Sequence, residues 1–254
     1  MHLHFNDLWR KEYIISLCAN NDEVRILSIE VSSLVKKYGH HIVVNQLSFT
    51  ASSGSIYGII GPNGCGKTTT LRMLVGLIQP DHGVITIHGE RPGKHLERIG
   101  VMFDYPNLYP YLTGYDNMRI FLPEQKTKET LSSSWLEKTG IQSYVANKVG
   151  GYSLGMKQRL LLTIMLIKNP EIWILDEPFT GLDTLGILFF QEILKEQANQ
   201  GKIIVITSHD LNGLDTLLTD FCIMENGSVL QCGSRSDYND FSDYYVRVLL
   251  GGKK

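Results

Sequence analysis

The sequence predicts an α/β fold with a largely parallel sheet, and three observations predict it. An apolar strand, Ile56–Ile60, runs into Gly61-Pro62-Asn63-Gly64-Cys65-Gly66-Lys67-Thr68-Thr69 and then into a helix-prone run over Thr69–Leu77. That is G-x-x-x-x-G-K-[ST] in its strand–loop–helix setting. A second apolar strand, Ile172-Trp173-Ile174-Leu175, ends in two adjacent acids, Asp176 and Glu177. Strand-like and helix-like segments also alternate along most of the chain, as they do around a parallel sheet.

Taken in order, residues 1–27 stand apart as an N-terminal extension. Phe5, Leu8, Trp9 and Tyr13 fall at helical spacing, with Asn6, Asp7, Arg10 and Lys11 on the other side. Such a stripe fits a short helix packed on the core, a frayed tail or a docking helix. From 28 to 254 the chain reads as one domain. Ile26–Val35 and Ile42–Thr50 are rich in β-branched residues and read as strands, separated by Lys36-Lys37-Tyr38-Gly39. Ser55–Ile60, Gly83–His88 and Ile99–Phe103 are further strands, the last running to Asp104. Residues 105–167 change character. Tyr, Pro, Asn and Gly cluster over 105–116, and a polar helix-prone stretch covers Glu124–Lys138, which predicts a mostly helical insertion. Glu171–Leu175 resumes the core. Leu185–Gln200 predicts a helix with Leu185, Leu188, Phe189 and Ile193 on one face and Gly201 at its C-terminal cap. Lys202–Thr207 is a strand, Leu211–Thr219 a short helix, and Phe221–Glu225 with Ser228–Cys232 a hairpin about Asn226-Gly227. Tyr238–Leu250 predicts a terminal helix.

The bulk numbers bound the function. The chain has 254 residues, 43% hydrophobic and 20% charged, with a formal net charge of −2. No long Lys/Arg run is present, which argues against a partner bound by phosphate neutralisation, so no nucleic acid is expected. The longest apolar run in the second half, Leu160–Ile167, falls short of the ~20 residues a membrane-spanning helix needs. Tyr13–Ala19 is too short for a signal peptide and is abutted by Glu12. Cys18, Cys65, Cys222 and Cys232 lack metal-like spacing and read as free thiols.

The chemistry follows from residue type and spacing. The glycines of 61–69 let backbone N–H groups curl around a phosphate, and the helix start adds partial positive charge. Lys67 would reach the β- and γ-phosphates and the Thr68 hydroxyl a Mg²⁺ ion, so a nucleoside triphosphate is expected. Cys65 lies near the helix N-terminus, a setting that lowers a thiol pKa. Asp176 is placed to hold Mg²⁺ through water, and Glu177 to accept a proton from an attacking water. Ser153 is a natural N-cap, and with Gly155 close behind it would present backbone N–H groups and a hydroxyl to an anion.

Tyr152-Ser153-Leu154-Gly155-Met156-Lys157-Gln158-Arg159, standing before the acidic strand, resembles the signature loop of the ATP-binding-cassette (ABC) ATPases, commonly Leu-Ser-Gly-Gly-Gln. Ser153 and Gly155 match; Tyr152, Leu154 and Met156 depart. The resemblance spans about residues 28–233 in the correct order. It implies a RecA-like phosphate-loop core, an antiparallel β flank and a helical subdomain at about 105–167. It also implies Mg²⁺-dependent hydrolysis of ATP between two such chains, identical or not, set head to tail. Phe179-Thr180-Gly181-Leu182-Asp183 is similar to the loop after the catalytic acid, with Asp183 as its carboxylate. His209 is similar to the switch histidine and Tyr38 to the aromatic platform under adenine. A tyrosine before glycine also serves in packing, and a histidine after a strand on a surface.

Asp104-Tyr105-Pro106, Leu108-Tyr109-Pro110, Leu112-Thr113-Gly114 and Asp116-Asn117 resemble the transporters that protect bacteria from peptide antibiotics of the bacitracin and lantibiotic kinds. Those carry an acid, usually Glu, where most ABC ATPases carry glutamine; here it is Asp104, one methylene shorter and counted with the metal-facing residues. The resemblance implies a separate membrane permease and a place on the cytoplasmic face of the membrane. A soluble ATPase of iron–sulfur cluster assembly is the alternative.

Overall fold

The computed structural model describes residues 28–94, 96–104, 107–123 and 134–251. The amphipathic pattern of residues 1–27, Cys18, Tyr105-Pro106 and most of the Glu124–Lys138 stretch lie outside them. Among the described residues nine strands form one sheet in the order β4-β1-β2-β9-β8-β3-β7-β6-β5. Strands β1 (Ser28–Tyr38), β2 (His41–Ser52) and β4 (His82–Ile87) make an antiparallel flank. Strands β3 (Ile56–Ile60), β5 (Ile99–Met102), β6 (Ile172–Asp176), β7 (Ile203–Ser208) and β8 (Asp220–Glu225) run parallel. Strand β9 (Ser228–Ser234) folds back on β8 and joins the two parts through Asn45 and Ser228.

The apolar pattern explains this division. Every residue of β3, β6 and β7 is buried, so these strands read as continuous apolar runs with both faces covered. In β2 buried and open positions alternate over Leu47–Ser52, as they do on a half-solvated sheet. Helix α1 (Lys67–Leu74) follows the phosphate loop. Helices α2 (Gly114–Phe121), α3 (Ser134–Lys138) and the long α4 (Leu154–Lys168) form the insertion, around a cluster that includes Met118, Leu136, Val145, Tyr152 and Leu160. Helix α5 (Thr184–Asn199) packs on the core and α6 (Phe241–Leu249) closes the chain.

The insertion opens on Thr113, which caps α2. Its hydroxyl accepts from the Asp116 N–H (3.1 Å), while the Asp116 carboxylate takes the Thr113 hydroxyl (2.6 Å). Asn117, fully buried, gives its amide to the carbonyls of Tyr109 (3.1 Å) and Thr113 (2.9 Å) and accepts from the Tyr109 N–H (2.7 Å). The Leu-Thr-Gly-Tyr-Asp-Asn run is thus a cap and a clamp that fix the loop before α2.

Three expectations are corrected. Leu211–Thr219 is not a helix but a chain of turns, with Leu214 bonded back to Leu211 and Leu217 to Leu214; Gly213 at φ +74° breaks any helical run. On α5 the buried face is Gly186, Phe190, Ile193, Leu194 and Gln197, while Leu185 is 73% exposed and Leu188 51%. The whole sheet surface, not the run of large apolar residues, selects that face. Strand β1 continues through Lys36-Lys37-Tyr38, so the turn is only Gly39-His40, with Gly39 at φ +60°.

Candidate functional site

The parallel strands bring their carboxyl ends side by side. Met102 pairs with Leu175 and Asp176 with Thr207, so Asp104, Asp176-Glu177 and Ser208-His209 emerge next to one another. Ile60 pairs with Ser208, which adds the phosphate loop to the same edge. A cleft of about 270 Å³ lies there, lined by Val43, Asn63, Gly64, Gly66, Lys67, Thr68, Thr69, Asp104 and Glu177.

The loop is shaped by its glycines. Gly66 sits at φ +109°, and a Cβ there would meet the Val43 carbonyl oxygen at 2.3 Å. Gly61 lies so close to Met224 that a Cβ would stand 2.0 Å from its carbonyl oxygen. Lys67 is buried and turns back over the loop, donating to the carbonyls of Gly61 (2.7 Å) and Pro62 (3.3 Å) and lying 3.3 Å from Glu177 Oε1. Cys65 is corrected. Its side chain faces the core, and burial pushes its thiol up, against the smaller pull of the Lys67 charge. Cys65, Gly61 and Pro62 shape the loop from behind and do not line the cleft.

Glu177 is the centre of a small network. Its Oε2 lies 2.8 Å from His209 Nδ1 and accepts from the His209 N–H (3.2 Å) and the Ser208 hydroxyl (3.5 Å). Its backbone is left-handed at φ +49°, a strained state for a non-glycine residue and one that clusters at functional sites. The Glu177 N–H holds that turn by donating to Thr207 O (3.2 Å) and Thr207 Oγ1 (3.1 Å).

Asp176 is 1% exposed. Its Oδ1 accepts from the Thr207 hydroxyl (2.6 Å), and its Oδ2 is buried without a hydrogen-bond partner. A buried carboxylate oxygen left over in this way calls for a cation or its water shell. Asp104 points to the same need. Although Asp104 is exposed, partial desolvation holds its carboxyl above the usual range, and the charges of Asp176 and Glu177 add to this against the pull of His209 and Lys67. No group of three or more His, Cys, Asp or Glu among the described residues could hold a metal by itself. That set suits Mg²⁺, which takes one or two protein ligands and completes its shell from phosphates and water.

The remaining expected residues fall elsewhere. Ser153 caps α4, accepting from the Met156 N–H (3.2 Å). Gly155 packs on the next loop: a Cβ there would be 3.3 Å from the Gly181 carbonyl, and one on Gly181 would meet Leu154 Cδ2 at 2.6 Å. Asp183 caps α5 through the Gly186 N–H (2.8 Å). These three form a second cluster, with Ser153 and Asp183 exposed and Gly155 half-buried, that does not line the cleft. Tyr38 stands half exposed at the end of β1, with Lys36 Nζ 5.7 Å from its ring centre.

Sequence reasoning missed Thr207 and Tyr245. Thr207 holds both acids, a role visible only once β6 and β7 are paired. Tyr245, on α6, donates its hydroxyl to the His209 carbonyl (3.3 Å), across a separation of 36 residues that no local pattern announces.

Fold and site together define a phosphate-loop nucleotide-binding cassette. The family described as ABC transporter matches residues 44–180. The Nod factor export ATP-binding protein I of Burkholderia lata is 37% identical over 217 residues, 82% of this chain and 71% of that protein. The bacitracin transport ATP-binding protein BcrA of Bacillus licheniformis is 39% identical over 209 residues, 80% of this chain and 68% of that protein. The lantibiotic transport ATP-binding protein SrtF of Streptococcus pyogenes is 34% identical over 203 residues, 80% and 89% of the two chains. A solved structure titled as the ATP binding subunit of an ABC transporter superposes with a TM-score of 0.79 at 28% identity, covering 87% of this chain and 99% of that one. The chain belongs to the ABC transporter ATP-binding family, whose cassettes bind and hydrolyse ATP. These relatives lend no support to the iron–sulfur alternative.

Proposed function

We propose that this chain is the ATP-hydrolysing subunit of a bacterial exporter that removes a peptide antibiotic, working through a separate membrane permease. The observation that carries the catalytic half is Glu177, held between Lys67 and His209 at the mouth of the phosphate loop. The backbone N–H groups of the cleft-lining residues Asn63, Gly64, Gly66, Lys67, Thr68 and Thr69 and the Lys67 ammonium bind the β- and γ-phosphates, displacing Lys67 from its contacts to Gly61, Pro62 and Glu177. Tyr38 stacks on adenine. Glu177, then released on one oxygen, accepts the proton of an attacking water, and His209 orients it through Oε2. Thr68, Asp176 and Asp104 hold Mg²⁺ or its water shell. When bound, that ion neutralises charge developing on the phosphates.

The second cluster closes the site from outside. Ser153 and Gly155 of one chain, with Asp183 beside them, meet the γ-phosphate held by another chain, so two chains bind head to tail. No helix among the described residues is long and apolar enough to cross a membrane. The permease carries the path, and this chain works at its cytoplasmic face. A cleft of about 240 Å³ between β5 and α4, lined by Met102, Phe103, Asn107, Phe121, Leu161 and Met165 among others, is the permease seat.

The bacitracin and lantibiotic names of two relatives, and the acid at Asp104, support a peptide antibiotic as cargo. The test is a strain lacking the chain and its co-purifying permease. It should become several-fold more sensitive to bacitracin-type or lantibiotic peptides, and the two wild-type genes together, not the same pair carrying Glu177→Gln, should restore resistance. Unchanged sensitivity across those peptides would remove the cargo assignment and leave the ATPase.

A further inference from the structure

Two thiols face each other away from the cleft. Cys222 on β8 and Cys232 on β9 are partners in the antiparallel ladder, so their side chains leave the same face of the sheet. Cys222 is fully buried in the apolar cluster beneath the flank; Cys232 packs against that cluster and is only partly covered. Directly paired residues on antiparallel strands bring their Cα atoms to roughly 4.5–5.5 Å, within the span a disulfide bridges. The two thiols are also unequal. The hydrogen bond from Cys222 holds Cys232 below the ordinary thiol range, with help from the Tyr57 hydroxyl, while that bond and burial push Cys222 up. A more acidic, partly open thiol beside a buried one is the arrangement of an attacking and a resolving cysteine.

The hairpin that carries the pair supports the phosphate loop. At its turn, the Gly227 N–H donates to the Cys65 carbonyl (3.2 Å), and the Gly227 carbonyl accepts from the Asn45 N–H (2.7 Å). The Met224 carbonyl presses on Gly61, and the ladder shifts register between Ile223 and Met224, just past Cys222. Strain imposed at Cys222 and Cys232 therefore falls on the floor of the loop.

We propose that Cys222 and Cys232 form a reversible oxidation site that reacts with hydroperoxides, closing into a cross-strand disulfide that weakens nucleotide binding. The Cys232 thiolate attacks the peroxide. An S–O bond forms and the O–O bond breaks, and the released oxygen leaves as water or an alcohol after taking a proton. The Cys222 sulfur then attacks the sulfenic sulfur of Cys232. The S–S bond forms, the S–O bond breaks, and hydroxide leaves with the Cys222 proton as a second water. Two thiols lose two electrons and the peroxide gains them.

The experiment uses the full chain treated with hydrogen peroxide, then alkylated and cleaved after Lys and Arg. No Lys or Arg lies between Lys202 and Arg235, so both thiols stay in one peptide. That peptide should appear unalkylated and about 2 Da lighter, and dithiothreitol should reverse the change. Cys232→Ser and Cys222→Ala, each verified as folded by its thermal transition, should both abolish the lighter peptide. ATP affinity should fall by about fivefold in the oxidised parent protein and stay unchanged by peroxide in both variants. Full alkylation of both thiols, oxygen added to Cys232 without the lighter form, or pairing with Cys18 or Cys65 would overturn the site. A disulfide-closed protein of unaltered ATP affinity would overturn the link to the loop. The mass readout is independent of hydrolysis, so it stands or falls apart from the ATPase reading.

Discussion

Lys67 and Glu177 neutralise each other across 3.3 Å, and in the proposed mechanism each is freed for separate work when phosphates enter. Removing either should split binding from hydrolysis. Lys67→Ala should lose most nucleotide affinity, measured by equilibrium binding of ATP. Glu177→Gln keeps the shape and gives up the base, so ATP binding should persist while turnover falls by about 10²–10⁴-fold. A Glu177→Gln protein that hydrolyses at the parent rate would rule out the base assignment. Asp104 is the other charged residue with a distinct expectation. It is crowded by Asp176 and Glu177, and an ionised carboxylate only accepts hydrogen bonds, so it tolerates a triphosphate only with a cation between. Asp104→Asn should flatten the Mg²⁺ dependence of nucleotide binding and reduce permease-stimulated hydrolysis more than basal hydrolysis. Superimposable Mg²⁺ titrations of the two proteins, with and without permease, would show that the acid plays no part.

Among the elements, α2 clamps the loop before it through Asn117, and α6 reaches the site through Tyr245. Asn117 satisfies three backbone groups of the loop before α2, all with one buried amide. Asn117→Ala leaves the Tyr109 N–H without its partner and the Tyr109 and Thr113 carbonyls with only the Leu112 and Asn117 N–H groups, and should cost about 1–3 kcal/mol, read as a lowered urea midpoint with an unchanged slope. Tyr245 ties α6 to the peptide of His209. Tyr245→Phe keeps the ring in its buried seat and deletes only the hydroxyl. It should lower kcat several-fold with KM for ATP unchanged, because it frees the residue that orients Glu177 and leaves the phosphate contacts intact. An equal change in KM, or none in either constant, would place Tyr245 in packing alone.

For the whole molecule, the two clusters are what the proposed head-to-tail pair would bring together. Lys67, Thr68, Asp104 and Glu177 line one cleft, whereas Ser153, Gly155 and Asp183 cap or border helices at another exposed place. Glu177→Gln with ATP should therefore double in mass by light scattering, and Ser153→Ala in the same background should reverse the doubling. A Glu177→Gln protein that stays monomeric at saturating ATP would sink the head-to-tail arrangement.

The sequence by itself determined the class of fold and most of the cleft. Glycine spacing, a lysine and a strand ending in Asp176-Glu177 are local requirements, met within a few residues of chain, so they are readable in one dimension. Continuous apolar runs made β3 and β6 readable as strands for the same reason. Helix faces and distant polar partners were not readable in this way. Leu185 and Leu188 are apolar and at helical spacing, yet α5 turns Phe190 and Leu194 inward because the sheet it meets selects the face. The low thiol pKa expected at Cys65 from the helix terminus gave way to burial, which depends on where the whole core closes. Thr207 between the two acids, Tyr245 on the His209 peptide and Cys222 opposite Cys232 are contacts across strands or between distant segments. Tertiary structure decided these because strand order and register set which side chains meet, and neither is encoded in any single window of sequence.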